Sequence, residues 1–327
     1  MKILIITPAP AGSRKGNRVT ALRWSRLLRQ LGHRVAIREQ YCGEACDVLV
    51  ALHARRSFAA VAASVRAAPE RPVVVALTGT DLYGEIRTDP DARKSLELAT
   101  RLVVLQGMGP EELPRHLRGK TRVIYQSATA PGRRSAPRPE AFEVCVLGHL
   151  RPVKDPFRTA LAARLLADSS RVRVIHLGSA LSQEMEKQAR AEAANNPRYR
   201  WLGDLPRWKA LRVLGRCRLL VQTSLLEGGA NTISEALAAS VPVLASRIPG
   251  QVGILGAGYP GYFSAGDTKE LAELLHRAET DRGFYHALAV WCRRLRPLVR
   301  PARERASWQR LLRELCTNQQ AVRRRKA

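Results

Sequence analysis

Leu219-Leu220-Val221-Gln222-Thr223-Ser224-Leu225-Leu226-Glu227-Gly228-Gly229-Ala230-Asn231-Thr232-Ile233-Ser234-Glu235-Ala236-Leu237-Ala238-Ala239 is the stretch that decides the fold. An apolar run of strand length ends in a polar, glycine-bearing loop, and the loop opens into a stretch with helical periodicity. A second short apolar run, Val241–Ala245, follows at once. The order strand, helix, strand is the connection that makes neighbouring strands parallel, and strands of a parallel sheet are continuously apolar because helices cover both faces.

Working outward, the pattern repeats. Val144–Leu147, Val172–Leu177, Arg200–Leu202 and Tyr259–Phe263 read as further strands, with helices near Phe157–Ala167, Ser182–Ala194, Asn231–Ala239 and Lys269–Arg277. Nearer the amino terminus a separate series of strands, Ile3–Thr7, Val35–Ile37, Val48–Leu52, Val73–Leu77, Leu102–Leu105 and Val123–Tyr125, surrounds a helix. That helix carries Trp24, Leu27, Leu28 and Leu31 at i, i+3, i+4, i+7 and stops at Gly32. Thr129 to Pro139 is rich in Pro and Arg without periodicity and reads as a linker. The expected organisation is therefore an α/β protein with two doubly wound, Rossmann-like domains facing a central cleft: an acceptor-side domain over 1–135, and a donor-side domain over 142–296. A helical tail over 297–327 is broken at Pro297 and Pro301; its helix at about 300–318 packs back on the first domain and its basic end is disordered. Ligands of such sheets bind outside the carboxyl ends of the strands.

The chain has 327 residues, enough for two domains, and its 45% hydrophobic and 25% charged content excludes disordered and fibrous classes. Lys and Arg outnumber Asp and Glu 55 to 28, giving +27, and 46 of those 55 are Arg. Such a surface attracts anions: nucleic acid, headgroups or phosphorylated metabolites. Against nucleic acid stand only five Phe and seven Tyr and no stripe of basic residues. No apolar run reaches membrane-spanning length, and six scattered cysteines do not make a disulfide framework. Cys42 and Cys46 lack a second ligand pair at zinc spacing. A cytoplasmic protein is expected, with no membrane partner and no cofactor or metal, since no Asp-x-Asp metal motif is present.

Four elements could carry chemistry. Glu227 and Glu235 are eight apart, with Gly228, Gly229 and Ala230 between them and Asn231 as the expected N-cap. On that expectation the free amides of Thr232 to Ser234 would receive an anion while the carboxylates accept from hydroxyls. A solvated surface turn is the alternative that spacing alone leaves open. Gly148-His149-Leu150-Arg151-Pro152-Val153-Lys154 follows a strand, and Arg151 with Lys154 can bracket a diphosphate, Arg as a fork and Lys as a point charge. In the first domain Gly12, Ser13, Arg14, Lys15, Gly16, Asn17 and Arg18 join a strand to a helix and form a basic loop suited to a compact phosphate. Thr78, Thr80 and Asp81 end another strand; Asp81 is read either as a ligand-orienting group or as a helix cap. Gln106, Gln126 and Ser127 are weaker strand-end candidates, and His53, His149 and His176 read as structural.

Gly148, Arg151 and Lys154 followed by Glu227 and Glu235 resemble the donor half of GT-B glycosyltransferases of the large retaining group with a Glu-x7-Glu motif. The resemblance extends over most of 142–280, including Arg200-Trp201-Leu202-Gly203 and Pro242-Val243-Leu244-Ala245-Ser246. It implies that Arg151 and Lys154 hold the donor's diphosphate, Glu227 contacts the transferred sugar and Glu235 binds the ribose. Two departures stand out: Gly229-Ala230 replace the family's Phe-Gly, and Thr78-Gly79-Thr80-Asp81 stands where a His-Gly is common. Ile6 to Trp24 and Leu77 to Tyr83 are similar to the selenosugar synthases of selenoneine biosynthesis, the SenB family. That likeness implies transfer from a UDP-sugar, with UDP-N-acetylglucosamine as donor, to selenophosphate, forming a carbon–selenium bond and then a selenosugar. A GT-B transferase with a hydroxyl acceptor on a lipid or glycan is the alternative. Nucleic-acid binding comes third.

Overall fold

The computed structural model describes residues 1–13, 16–130 and 136–326, with side chains of the last helix described as far as Thr317. Arg14 and Lys15, expected in the acceptor loop, lie outside the described residues. The chain divides into two compact units, Met1–Gln126 with Pro301–Ala327, and Ser127–Arg300.

The first unit holds β1 (Lys2–Ile6), β2 (Arg34–Arg38), β3 (Val48–Leu52), β4 (Val73–Leu77), β5 (Arg101–Val104) and β6 (Thr121–Val123). They form one parallel sheet in the order β2-β1-β3-β4-β5-β6. Every residue of β3 and β4 is buried, as helices on both faces require. The chain order reverses between β1 and β3, so their carboxyl ends flank the switch point where doubly wound sheets bind ligands.

The helix Gly16–Gln30 packs against the last helix, Pro301–Lys326. Trp24 and Trp308, both fully buried, meet edge to face at 4.7 Å. Beside them Glu304, only 1% exposed, accepts from Trp24 Nε1 at 2.7 Å and from Arg23 Nε at 3.2 Å. A buried carboxylate is tolerated because its partners neutralise and satisfy it. The final helix continues through Lys326, where sequence reasoning expected a disordered basic end.

The second unit holds β7 (Phe142–Leu147), β8 (Val172–Leu177), β9 (Tyr199–Trp201), β10 (Leu219–Gln222), β11 (Val243–Ser246) and β12 (Tyr262–Phe263). Their order is β12-β11-β10-β7-β8-β9, all parallel, with the reversal between β7 and β10. Two helices escaped the sequence reading, Arg207–Arg216 and Pro249–Leu255. Both bear on the site. Among the described residues no helix is long and apolar enough to cross a membrane.

Candidate functional site

The loops after β7 and β10 leave the second sheet at its switch point, and they carry the residues singled out above. Thr223 Oγ1, just past β10, donates to the carbonyls of Lys154 (2.9 Å) and Asp155 (2.8 Å), and the Leu225 amide donates to Val153 O at 2.9 Å. Asp155 takes a left-handed backbone (φ 44°) and accepts from Arg158 Nε at 2.7 Å. These bonds fasten one loop to the other and bring Lys154 Nζ onto Glu227 Oε1 as an ion pair. Arg151, on the same loop, is exposed.

Glu227 is 8% exposed, and the same Oε1 also accepts from Ser224 Oγ (2.7 Å) and Gln222 Nε2 (2.8 Å). Burial works against its charge, but Lys154, the Ser224 hydroxyl and the Arg151 charge outweigh it and hold the carboxyl below its usual range. Gln222 turns its own Oε1 to Thr232 Oγ1 at 2.9 Å, tying the helix Asn231–Ala238 to the end of β10. Glu235 on that helix, 6% exposed, accepts from the half-exposed guanidinium of Arg207 at 2.7 Å.

Two glycines set close backbone approaches. A Cβ on Gly250 would lie 1.8 Å from the Glu227 carbonyl oxygen, so the helix Pro249–Leu255 can support Glu227 only with glycine there. A Cβ on Gly178 (φ 148°) would lie 1.9 Å from the Gly148 carbonyl oxygen. The space where a Gly148 side chain would stand is open. His176 is buried and joins Tyr199 Oη at 2.9 Å and Gly148 O at 3.3 Å; burial lowers its pKa to about 4 despite the carbonyl bond. The ring is therefore neutral near pH 7, donating through Nε2 and accepting through Nδ1. His149 Nδ1 sits 2.7 Å from Ser179 Oγ.

The helix start differs from expectation. Asn231 is the first helical residue; Ala230 occupies the cap position and no side chain caps it. The amides of Ile233 and Ser234 are already bound to Ala230 O, at 3.0 and 3.3 Å, so they are not the open donors that an Asn231 cap implied. The bond from Thr232 to Gln222 sets the helix on β10 and draws Asn231 into the first turn. Gly228 and Ala230 are buried, and Gly229 is partly exposed.

The first unit's carboxyl edge is organised differently. Asp81, fully buried, accepts from the amides of Gly79 (2.8 Å), Ala54 (3.0 Å) and Thr78 (3.1 Å). Its carboxylate therefore pins the loops after β3 and β4 rather than reaching a ligand, and the Thr78-Gly79 turn offers no amides to an anion. Thr78 is partly exposed and Thr80 exposed. In the basic loop the Ala11 amide is taken by Glu39 Oε1 (3.0 Å), Ser13 N by Pro10 O (3.1 Å), and Gly12 is left-handed (φ 80°). Gly16, Asn17 and Arg18 open the helix Gly16–Gln30. Gln126 binds Thr20 Oγ1 at 2.9 Å and Gln106 binds Tyr83 Oη at 3.0 Å, both packing roles. His53, which reads as structural in the sequence, has Asp81 Oδ2 at 4.0 Å and Glu85 Oε2 at 3.5 Å.

Sequence reasoning missed Gln222, Ser224, Arg207 and Gly250. Gln222 carried a signal, a polar residue closing an apolar strand at the loop. Arg207 and Gly250 sit on the two helices not foreseen, and only the fold brings them to the glutamates.

Two parallel six-stranded sheets with helices on both sides, followed by carboxyl-terminal helices, make this a GT-B architecture. Solved structures agree. Anabaena HepE in complex with UDP is 18% identical, with a TM-score of 0.75 over 96% of this chain and 100% of that one. The sucrose-phosphate synthase of Thermosynechococcus elongatus is 13% identical, with a TM-score of 0.75 over 97% and 99%. An E. coli trehalose-6-phosphate structure bound with UDP-2-fluoro glucose is 10% identical, with a TM-score of 0.72 over 96% and 99%. At these identities the likeness shows the fold. No curated protein sequence matches the chain. Residues 132–290, most of the second unit, match the family model of glycosyl transferases group 1.

Proposed function

We propose that the protein is a UDP-sugar-dependent glycosyltransferase whose second unit holds the donor and whose acceptor is selenophosphate. One observation carries the donor half: at the switch point of the second sheet, Lys154 and Glu227 are brought into one ion pair, with Arg151 on the same loop. The similar structures in complex with UDP, UDP-glucose and UDP-2-fluoro glucose support UDP as the nucleotide. In this reading Lys154 and Arg151 take the diphosphate, Glu227 is released to the sugar, and Glu235 exchanges Arg207 for ribose hydroxyls. The selenium of selenophosphate attacks the anomeric carbon, the C–O bond to UDP breaks, and UDP departs with the electron pair. Neutralising that departing charge is the main electrostatic task. Water then cleaves the P–Se bond, releasing phosphate and the selenosugar. A soft anionic nucleophile of this kind needs no strong base, and the likeness of residues 6–24 and 77–83 to selenosugar synthases supports it.

The experiment is incubation of the protein with UDP-N-acetylglucosamine and selenophosphate, followed by mass spectrometry. UDP and a selenium-bearing sugar are expected, and the absence of both ends this reading. Arg151→Ala and Glu235→Ala should each cripple turnover; unchanged kinetics place the donor elsewhere. A hydroxyl acceptor is the second reading. It is favoured by the first unit's edge, where carboxylates, not open amides, line the loops after β3 and β4. UDP release with a sugar or lipid acceptor and none with selenophosphate selects it.

A further inference from the structure

His53 follows β3 directly, next to the switch point of the first sheet, and holds φ at 78°. A non-glycine residue in that region is strained, and surrounding contacts must hold it there. They do: Ser57 Oγ donates to Leu52 O at 2.7 Å, the His53 amide donates to Ala76 O at 2.8 Å, and its Nδ1 accepts from the Arg56 amide at 3.3 Å. With Nδ1 an acceptor, the ring proton of neutral His53 is on Nε2, which faces Glu85 Oε2 at 3.5 Å. That is too long for a hydrogen bond, and both atoms are buried without one.

Glu85 is delivered by an unusual element. It closes a single π-helical turn, Asp81–Glu85, that follows the β4 loop, and such turns occur often at functional sites. Its other oxygen, Oε1, lies 3.8 Å from Arg55, and the side chain is 22% exposed. Thr78 Oγ1, on the same loop, is a third buried polar atom with no hydrogen bond. A strained backbone, a π turn and three orphaned polar atoms thus converge on one sheet edge. Native folds rarely leave such groups unsatisfied without a reason.

We propose that Glu85 is a hydroxyl-binding carboxylate of the first unit, held in place by His53, and that the hydroxyl belongs to a sugar. A carboxylate with one oxygen inward towards an N–H and one outward suits a sugar hydroxyl as donor and disfavours a phosphate. The long Nε2 to Oε2 distance is one that tightens when a ligand fixes the carboxylate. Two sources share this chemistry, the donor's sugar ring and a hydroxyl acceptor. The inference rests on the glycosyltransferase reading but not on selenophosphate.

The test compares the wild type with Glu85→Gln, His53→Asn and the double variant. Asn keeps the left-handed backbone open to it while removing the ring. UDP affinity by calorimetry should be unchanged in all three. Each single variant should lower kcat/KM by about tenfold, the order expected for a hydrogen bond to a charged group, and the double variant should cost no more than the larger single loss. If the donor sugar supplies the hydroxyl, one singly deoxygenated UDP-N-acetylglucosamine should slow the wild type equally and leave Glu85→Gln indifferent. If the acceptor supplies it, the loss should fall on the KM of the hydroxyl acceptor alone. Saturation-transfer NMR with free N-acetylglucosamine and glucose gives a readout that needs no turnover, and Glu85→Gln should abolish the signal. A wild type that binds the free sugar yet turns over no UDP-sugar refutes the glycosyltransferase reading and leaves the Glu85 site standing. Variants within twofold of the wild type for every substrate, with the NMR signal intact, overturn the Glu85 site.

Discussion

At the carboxyl edge of the second sheet, buried carboxylates meet cations from other segments: Glu227 pairs with Lys154 and Glu235 with Arg207. At the corresponding edge of the first sheet, Asp81 and Glu39 meet the backbone amides of its loops. Both edges come from the same strand, loop and helix unit, yet their carboxylates do different work. A side-chain ion pair can open and give each partner to a ligand, the cation to a phosphate and the carboxylate to a hydroxyl. A carboxylate spent on its own loop's amides shapes that loop and removes the amides from any anion. The second edge is thus poised for exchange, and the first is fixed except at His53 and Glu85.

The largest effect asks whether the first unit's architecture can fail while the second edge stands. Glu304→Ala removes the buried carboxylate that accepts from both Arg23 and Trp24. Breaking a buried pair from one side costs about 3–5 kcal/mol. Urea unfolding should show an early transition in this variant, with UDP binding retained below it. A single transition that takes UDP binding with it breaks the distinction between the two units.

The next effect is on chemistry. Lys154→Ala should lower kcat/KM for UDP-sugar turnover by about 100- to 1,000-fold, the range for loss of one preorganised group that stabilises developing charge. It also leaves Glu227 buried beside Ser224 and Gln222 without its cation. Glu227→Gln in the Lys154→Ala background should therefore recover thermal stability without recovering turnover. Stopped assays of UDP release, read with melting curves, separate the two effects.

How far the residues alone could lead varies along the chain. Val48–Leu52 and Val73–Leu77 are legible to the residue because they are uninterrupted branched and aliphatic runs, as burial on both faces demands, and Val172–Leu177 is legible although Arg173 and His176 interrupt its apolar residues. β6 is read two residues late: Thr121-Arg122-Val123 has one strongly apolar residue, and its pairing with β5 makes it a strand. Lys154 and Glu227 are legible as separate motifs that the fold pairs, with Arg151 on the same loop, whereas the partner of Glu235, Arg207, is not legible. The Asn231 cap is not, because a preference of about 1 kcal/mol yields to the tertiary bond from Thr232 to Gln222. The roles of Asp81 and His53 are hidden for the same reason: their partners come from separate loops, after β3 and after β4, that only the sheet order makes neighbours.

A pH series sharpens the contrast at the loop that bears Arg151. His176 holds Gly148 O while neutral, and its folded pKa of about 4 lies below the ordinary imidazole value of 6.5. The unfolded chain therefore takes up a proton between those values and the folded one does not. Stability of the second unit is complete above pH 6.5 and declines as pH falls towards 4, by about 3 kcal/mol in total for such a shift. The lowered carboxyl of Glu227 acts in the same direction but below pH 4.5, so the two windows separate. Urea midpoints from pH 7 to pH 4.5 should fall for the wild type and stay flatter for His176→Gln.

The smallest effect concerns helix starts. Asp267 is a working cap whose Oδ1 accepts from the amides of Lys269 and Glu270, both at 2.9 Å. Asp267→Ala should cost about 1 kcal/mol, and Asn231→Ala, at a helix with no side-chain cap, less than about half that. If the donor site uses this helix start, the order reverses for ligand binding: Asp267→Ala should leave UDP affinity unchanged and Asn231→Ala should weaken it. Equal and small effects of both variants on UDP affinity would mean that the uncapped helix is a consequence of how Thr232 anchors it to β10 and that the charge of Lys154 and Arg151 suffices for the diphosphate.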